Sequence, residues 1–192
     1  HLQRYAVDLD QQDCPFGQVG RKAVKQGEAG ALRGKAQPIV GQAELQIVAD
    51  EIWGPMGAEE NASFTVDAAG YALADGGFNA CLRDYARLGL LYLEHGGGIM
   101  PASWVEATRN GNHAIFGAPY NTSLPHGAYK NQWWIEEPQS RAIYARGVFG
   151  QMIYVNWDYN MVAVKLSSWP DFLNTQFNIV TQAALHTIAG HL

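Results

Sequence analysis

A chain of 192 residues with 47% hydrophobic and 16% charged residues is long and apolar enough to bury a core, which excludes disorder as its default state. Its formal charge of −5 is unevenly placed: residues 1–41 hold six Lys/Arg against four Asp/Glu, and residues 42–192 hold seven against fourteen. No apolar run approaches the ~18 residues of a membrane span, and His1-Leu2-Gln3-Arg4 lacks the charged-then-apolar pattern of a leader. The chain therefore reads as soluble, with the cytoplasm favoured over the periplasm and the compartment otherwise open.

Taken in chain order, residues 1–41 form an atypical Gly/Lys-rich segment, with Arg21, Lys22, Lys25, Arg33 and Lys35 set among six glycines. A basic patch of this kind can meet nucleic acid or a membrane surface, but the scarcity of large apolar residues is explained as well by a poorly folded segment, and neither partner is expected. From residue 42 the pattern changes. Leu45, Val48, Ala49 and Ile52 lie on one helical face that stops at Gly54-Pro55, and Asn61 to Asp67 reads as a short strand. After the break at Gly76-Gly77-Phe78-Asn79, a helix from Ala80 to about Glu94 presents Leu82, Tyr85, Ala86, Gly89, Tyr92 and Leu93 to a core, leaving Arg83, Asp84 and Arg87 on the outside, with Asp84 and Arg87 as a surface pair.

Pro101 to Arg109 suits a short helix, and residues 110–128 read as a long surface loop. Strand patterns follow at Asn131–Glu136, Ala142–Arg146, Gln151–Asn156 and Met161–Ser167, the last two joined through residues 156–160 as a hairpin. A terminal helix opens near Trp169-Pro170-Asp171, with Leu173, Phe177, Val180, Ala184 and Ile188 as its apolar stripe. Successive strands followed by a long helix imply an α+β fold, an antiparallel sheet covered by a C-terminal helix, beside a helical part.

Cys14 and Cys81 are too few for a disulfide framework or a four-ligand zinc site, and the six histidines lack the i, i+4 spacing of a helical metal pair. No metal and no other cofactor is expected.

Four blocks occur in unbroken order: Asp50 to Glu60, Gly76 to Leu91, Ile99 to Trp104, and Asn131-Gln132-Trp133-Trp134 with Gly147-Val148-Phe149-Gly150-Gln151-Met152-Ile153-Tyr154. Together they resemble the C-terminal half of the serine β-lactamase-like superfamily, nearest its branch of 6-aminohexanoate-dimer hydrolases and class C-like esterases, over about residues 43–192. The resemblance implies a partial β-lactamase/transpeptidase-like fold in residues 42–192 and hydrolysis of a small-molecule amide or ester through an acyl-enzyme.

That chemistry uses a Ser-x-x-Lys motif, because a serine hydroxyl needs a nearby base and three helical residues bring lysine beside it. The six serines here, 63, 103, 123, 140, 167 and 168, are followed three places on by Val66, Glu106, His126, Ile143, Pro170 and Asp171. No catalytic residue is therefore assigned. Tyr129-Lys130-Asn131 and Tyr154-Val155-Asn156 match the family's Tyr-x-Asn by type but lie in the wrong part of the chain; the family's tyrosine would fall near Gln18.

What the resemblance leaves is one wall of a pocket. The run Gly147-Val148-Phe149-Gly150-Gln151 is similar to the branch's substitute for Lys-Thr-Gly, with the Val148 amide favoured as oxyanion donor and Gln151 second; Gly147 and Gly150 are read equally as brackets of a hairpin. Trp134 matches a substrate-lining position, although core packing also explains a Trp pair, with Trp133 pointing to the opposite sheet face. Ala69 lies in a loop that borders the same cleft. Three functions follow: part of a serine hydrolase inactive as this chain alone, a non-catalytic ligand-binding or interaction module, or an enzyme completed by an N-terminal complementing chain. Self-association is the remaining partner expectation.

Overall fold

The computed structural model describes residues 5–8, 42–65, 72, 77–137 and 141–192. The expectations placed on Cys14, on the basic glycine-rich stretch from residue 9 to residue 41, and on Ala69 lie outside these residues. The chain divides into two compact units, residues 1–10 with 88–192 and residues 11–87.

The smaller unit begins with helix α1 (Gln42–Val48), which widens into a π-helical turn at Ala49–Trp53. Trp53 is buried edge-on against Phe78, with ring centroids 5.1 Å apart, and its indole N–H donates to the Glu60 carbonyl. Phe64 packs on the same ring at 4.9 Å, from the short antiparallel pair β2 (Ser63–Phe64) and β3 (Phe78–Asn79). Helix α2 (Leu82–Leu93) then starts, and its first turn carries a correction to the sequence reading. Asp84 is not on the surface; it is 0% exposed. Its carboxylate accepts the backbone N–H groups of Glu59 at 2.9 Å and Glu60 at 3.0 Å, the Cys81 thiol at 3.2 Å, and Arg87 Nη1 at 2.9 Å. Helical spacing placed it with Arg87, but two chain-distant N–H donors require an anion there, and a helix wheel does not register them. Arg87 also pairs with Glu59.

In the larger unit, six strands form one sheet in the order β1-β8-β7-β6-β5-β4. Strand β1 (Tyr5–Asp8) pairs parallel with β8; the others, β4 (Ala128–Lys130), β5 (Trp133–Ile135), β6 (Ala142–Arg146), β7 (Met152–Asn156) and β8 (Met161–Lys165), are antiparallel neighbours. The strand expected from Asn131 is instead a hairpin: Asn131 and Gln132 have φ of 51° and 68°, the left-handed pair that a two-residue turn needs, so pairing begins on both sides of them. The residue 110–128 loop contains two 3-10 turns, His113–Ile115 and Tyr120–Thr122. Between β7 and β8 the Asn156 side chain accepts the N–H groups of Asp158 and Tyr159, which sets the turn.

Period-two alternation sends the two sheet faces to different layers. Tyr144, Tyr154, Met152, Met161 and Ala163 form one core with Leu124 and with Leu185 and Ala189 of the C-terminal helix α4 (Thr175–Ala189). On the other face, Trp133 stacks on Tyr92 at 4.4 Å and the Trp157 indole donates to the Leu93 carbonyl. The last turn of α2 approaches this face so closely that a Cβ on Gly89 would sit 2.5 Å from Val162 Cγ1. Helix α3 (Ala102–Arg109) contributes the fully buried Val105.

The terminal helix begins at Asn174, whose side chain caps the Phe177 N–H at 2.9 Å. Its orientation is a second correction. Most of the expected stripe faces outward, with Leu173 61% and Val180 56% exposed, and of its members only Ile188 packs against the core; Gln182, Leu185 and Ala189 are the buried residues of the helix. The buried Tyr144 hydroxyl donates to Glu136 Oε1 at 3.0 Å, and His186 of this helix meets the same carboxylate at 2.7 Å. Among the described residues no helix is long and apolar enough to cross a membrane.

Burial acts to raise the Asp84 pKa, but the donors from Glu59, Cys81 and Glu60, together with the Arg87 charge, hold it below its ordinary value. The stability it contributes is thus present above the unfolded carboxylate range and lost as pH falls through the lower folded value. Asp84→Asn is expected to destabilise the chain by about 3 kcal/mol at neutral pH. Denaturant unfolding should show that difference shrinking in strong acid; a pH-independent difference would contradict this account.

Candidate functional site

The sheet edge of interest is the connection from β6 to β7. Gly147 is extended, Val148–Gly150 make one 3-10 turn, and Phe149 and Gly150 lie in the left-handed region at φ 55° and 89°. A non-glycine residue held there costs on the order of 1–3 kcal/mol, so the surroundings must impose it. They do so from the chain that follows β8. The Phe149 N–H donates to the Phe172 carbonyl at 3.1 Å, and the Phe149 carbonyl accepts the Trp169 N–H at 3.1 Å and the Ser167 hydroxyl at 3.0 Å. Lys165 Nζ donates to the Gly150 carbonyl at 2.7 Å and to Ser167 Oγ at 2.8 Å, and lies 4.4 Å from the Trp169 ring centroid. Gln151 completes the clamp: its amide donates to the Ser167 carbonyl and accepts the Ser167 N–H. Gly150 is required by space as well as by φ, since a Cβ there would lie 2.3 Å from Trp169 Cε2 and 2.5 Å from Ser167 Oγ.

The consequence is a turn whose backbone is fixed by the chain that follows β8. Val148 is 41% exposed, and its N–H makes no hydrogen bond with any described residue, while the neighbouring Gly147 N–H returns to the Gln151 carbonyl at 2.9 Å. Gly147, Val148, Gly150 and Gln151 therefore come together in one turn. In it the Gln151 side chain is a structural clamp.

Trp134 lies on β5, on the sheet face shared with Tyr144. Its ring is bordered by Tyr129 at 4.8 Å, Tyr120 at 4.9 Å, Phe116 at 6.1 Å and the Arg146 guanidinium carbon at 5.9 Å. Trp133 is buried on the opposite face. Ala69 lies outside the described residues.

Sequence reasoning passed over Lys165, Ser167 and Arg146. The signal for Arg146 was its place: a charged residue on the alternating face of Ala142 and Tyr144, one position before Gly147. Burial holds its guanidinium below its ordinary pKa, against the upward pull of Tyr144 and Glu136.

The two Tyr-x-Asn matches do not supply a base. Tyr154 is fully buried, accepts Asn156 Nδ2 at 2.7 Å, and is pushed up to about 12, chiefly by burial. Tyr129 donates to Gln132 Oε1 at 2.7 Å, and its pKa is also raised by burial. Among the described residues no group of three His, Cys, Asp or Glu side chains is placed to hold a metal ion.

An antiparallel sheet with a C-terminal helix on one face, helices on the other and a glycine-bounded turn at a strand end is the arrangement of part of a β-lactamase-like fold. No family model matches the sequence. A curated 6-aminohexanoate-dimer hydrolase from Paenarthrobacter ureafaciens is 30% identical over 139 residues, which is 69% of this chain and 36% of that protein. A solved structure from Bacillus anthracis, provisionally given the same hydrolase name, superposes with a TM-score of 0.63 at 31% identity, covering 75% of this chain and 37% of its own. The chain belongs to the 6-aminohexanoate-dimer hydrolase family, an amide-hydrolysing family by name, and spans little more than a third of the length of these relatives.

Gly150→Ala is expected to cost about 1–3 kcal/mol, because the added methyl must displace Trp169 or the Lys165–Ser167 contact. Thermal unfolding reads the loss; an unchanged midpoint would mean that the turn is not clamped as described.

Proposed function

We propose that this chain supplies the oxyanion wall of a serine hydrolase acting on amide or ester bonds, with nucleophile and base contributed from outside it. The observation that carries this reading is the Val148 N–H, without a hydrogen bond to any described residue, in a turn whose Phe149 and Gly150 carbonyls are clamped from beyond β8. A preorganised N–H facing the developing negative charge of a tetrahedral intermediate contributes about 3 kcal/mol, and it does so only if its backbone need not reorganise. Trp134, Tyr120 and Phe116 would flank the substrate's hydrocarbon part. The relatives' names specify a dimer of 6-aminohexanoate, and an amide of that kind is the substrate this reading favours.

The Lys165–Ser167 contact deserves comparison with a nucleophile–base pair, since the two atoms are 2.8 Å apart. Its chemistry runs the other way. The lysine donates to Ser167 and to a carbonyl and faces an aromatic ring, all of which favour the ammonium, while the serine hydroxyl donates to the Phe149 carbonyl. An ammonium takes no proton from serine. Fluorophosphonate and an activated acyl ester are therefore both expected to leave the intact mass of the folded chain unchanged; a stoichiometric adduct on Ser167 would sink the assignment of the nucleophile to a segment outside these 192 residues.

A second reading, a non-catalytic module that binds a ligand or another chain, is favoured by the absence of Ser-x-x-Lys from the sequence. Both readings involve a partner for the outward face of α4, where Phe172, Leu173, Phe177, Ile179 and Val180 are exposed. An N-terminal complementing chain would cover it in the first reading and a second copy in the other. Sedimentation velocity is expected to show concentration-dependent association of the chain alone; a compact monomer at every concentration would argue against an uncovered face.

A further inference from the structure

We propose that α4 is fastened to the sheet by a proton-dependent latch made of Glu136 and His186, which grips while the imidazole is charged and slackens as the ring loses its proton.

Glu136 follows β5 directly, and two donors converge on its Oε1: the Tyr144 hydroxyl at 3.0 Å and His186 Nε2 at 2.7 Å. The donors come from different layers. Tyr144 belongs to β6 and is 0% exposed, whereas His186 belongs to α4 and its side chain is 51% exposed, with the Glu136 side chain between them at 18%. Water and protons therefore reach the helix side of the contact and not the strand side. A change of charge on His186 alters the hold on the helix and leaves the Tyr144–Glu136 bond in place.

No other side chain of the helix answers to pH. Residues 172–192 contain no Asp, Glu, Lys or Arg, and His186 is the one titratable side chain of α4. His191, beyond the helix end, is turned back on the Thr187 carbonyl through Nδ1 at 2.7 Å. Leu185, Ile188 and Ala189 supply an apolar hold that pH does not touch.

The groups that surround the pair from the sheet keep their charge state. Tyr144 and Tyr154 both sense the Glu136 carboxylate, and burial, the largest influence on each, pushes Tyr154 up to about 12 and Tyr144 further still. Arg146 on β6 also feels Glu136 and stays cationic. Arg141, just before β6, is held by Asp158 at 3.5 Å, and Glu137 beside Glu136 is exposed. Between about pH 5 and 8 the side-chain type that changes charge is histidine.

With the ring protonated, the contact is a charge-assisted hydrogen bond; a neutral ring offers at most one uncharged N–H, roughly half as strong. The stabilisation is thus present on the acid side of that range and lost as pH rises through it. His186 follows Leu185 and precedes Ala189 by three residues, so a slack latch loosens the last turns of α4, the part that shares one core with Tyr144 and Tyr154.

The test is native-state amide hydrogen exchange on the full 192-residue chain, read by NMR and corrected for intrinsic rates. Protection of the Leu185 and Ala189 amides, relative to Val155 of β7 and Val162 of β8, is expected to fall about threefold between about pH 6 and pH 8. His186→Gln keeps an N–H donor without the charge and should flatten the profile at its alkaline level. His191→Gln should leave the step in place. The His186 ring signals, followed in the same samples, should titrate where the protection step falls, a criterion that holds on the wild-type chain even if a variant does not fold.

A flat wild-type profile, a step that survives His186→Gln, a step removed by His191→Gln, or one displaced from the His186 ring titration would each overturn the latch.

Discussion

The carbonyl of Phe149 is the point on which this sheet edge depends. It accepts two hydrogen bonds, from the Ser167 hydroxyl and the Trp169 N–H, and the adjacent Gly150 carbonyl accepts the Lys165 ammonium. Pulling both carbonyls toward β8 holds Phe149 in a conformation that it would not adopt by itself. The clamp thus converts side-chain hydrogen bonds into a fixed backbone path at the strand end. The oxyanion role proposed for Val148 would depend on that path, since such a donor is useful only when its direction is set before charge develops.

Much of the architecture was legible because alternation and periodicity report burial directly. Gln151–Asn156 and Met161–Ser167 read as strands since their side chains alternate between two faces, and strands form there over Met152–Asn156 and Met161–Lys165. Where reading failed, the deciding contact was distant in sequence. Asp84 looked like a surface residue until the Glu59 and Glu60 amides, more than twenty positions away, were found on its carboxylate. The terminal helix is apolar on several sides, so composition could not say which side meets the sheet; Leu185 and Ala189, with Ile188 beside them, are the residues that do. At Asn131-Gln132, β-like composition concealed a two-residue turn.

The candidate site was legible in part for a related reason. Glycines mark places where backbone must come close to something, so Gly147 and Gly150 could be singled out, and Gly150 meets Trp169 and Ser167 as tightly as that rule requires. Arg146 was not singled out because an arginine at a strand end is ordinary; what distinguishes it is a buried edge whose Nε and Nη2 have no hydrogen-bond partner. Absences of that kind are properties of three-dimensional packing and leave no trace in spacing.

Apart from the local Gly147–Gln151 bond, the bonds that clamp the Phe149 and Gly150 backbone come from residues made well after it, beginning with Lys165, fifteen positions on, with Ser167 and the segment leading into α4 later still. The turn therefore has no reason to take its final form while the chain is being synthesised or while β6 and β7 pair. It closes only when β8 docks and the helix start is in place, making the most local-looking feature of the fold one of the last to form and one of the first to be lost when the C-terminal helix detaches.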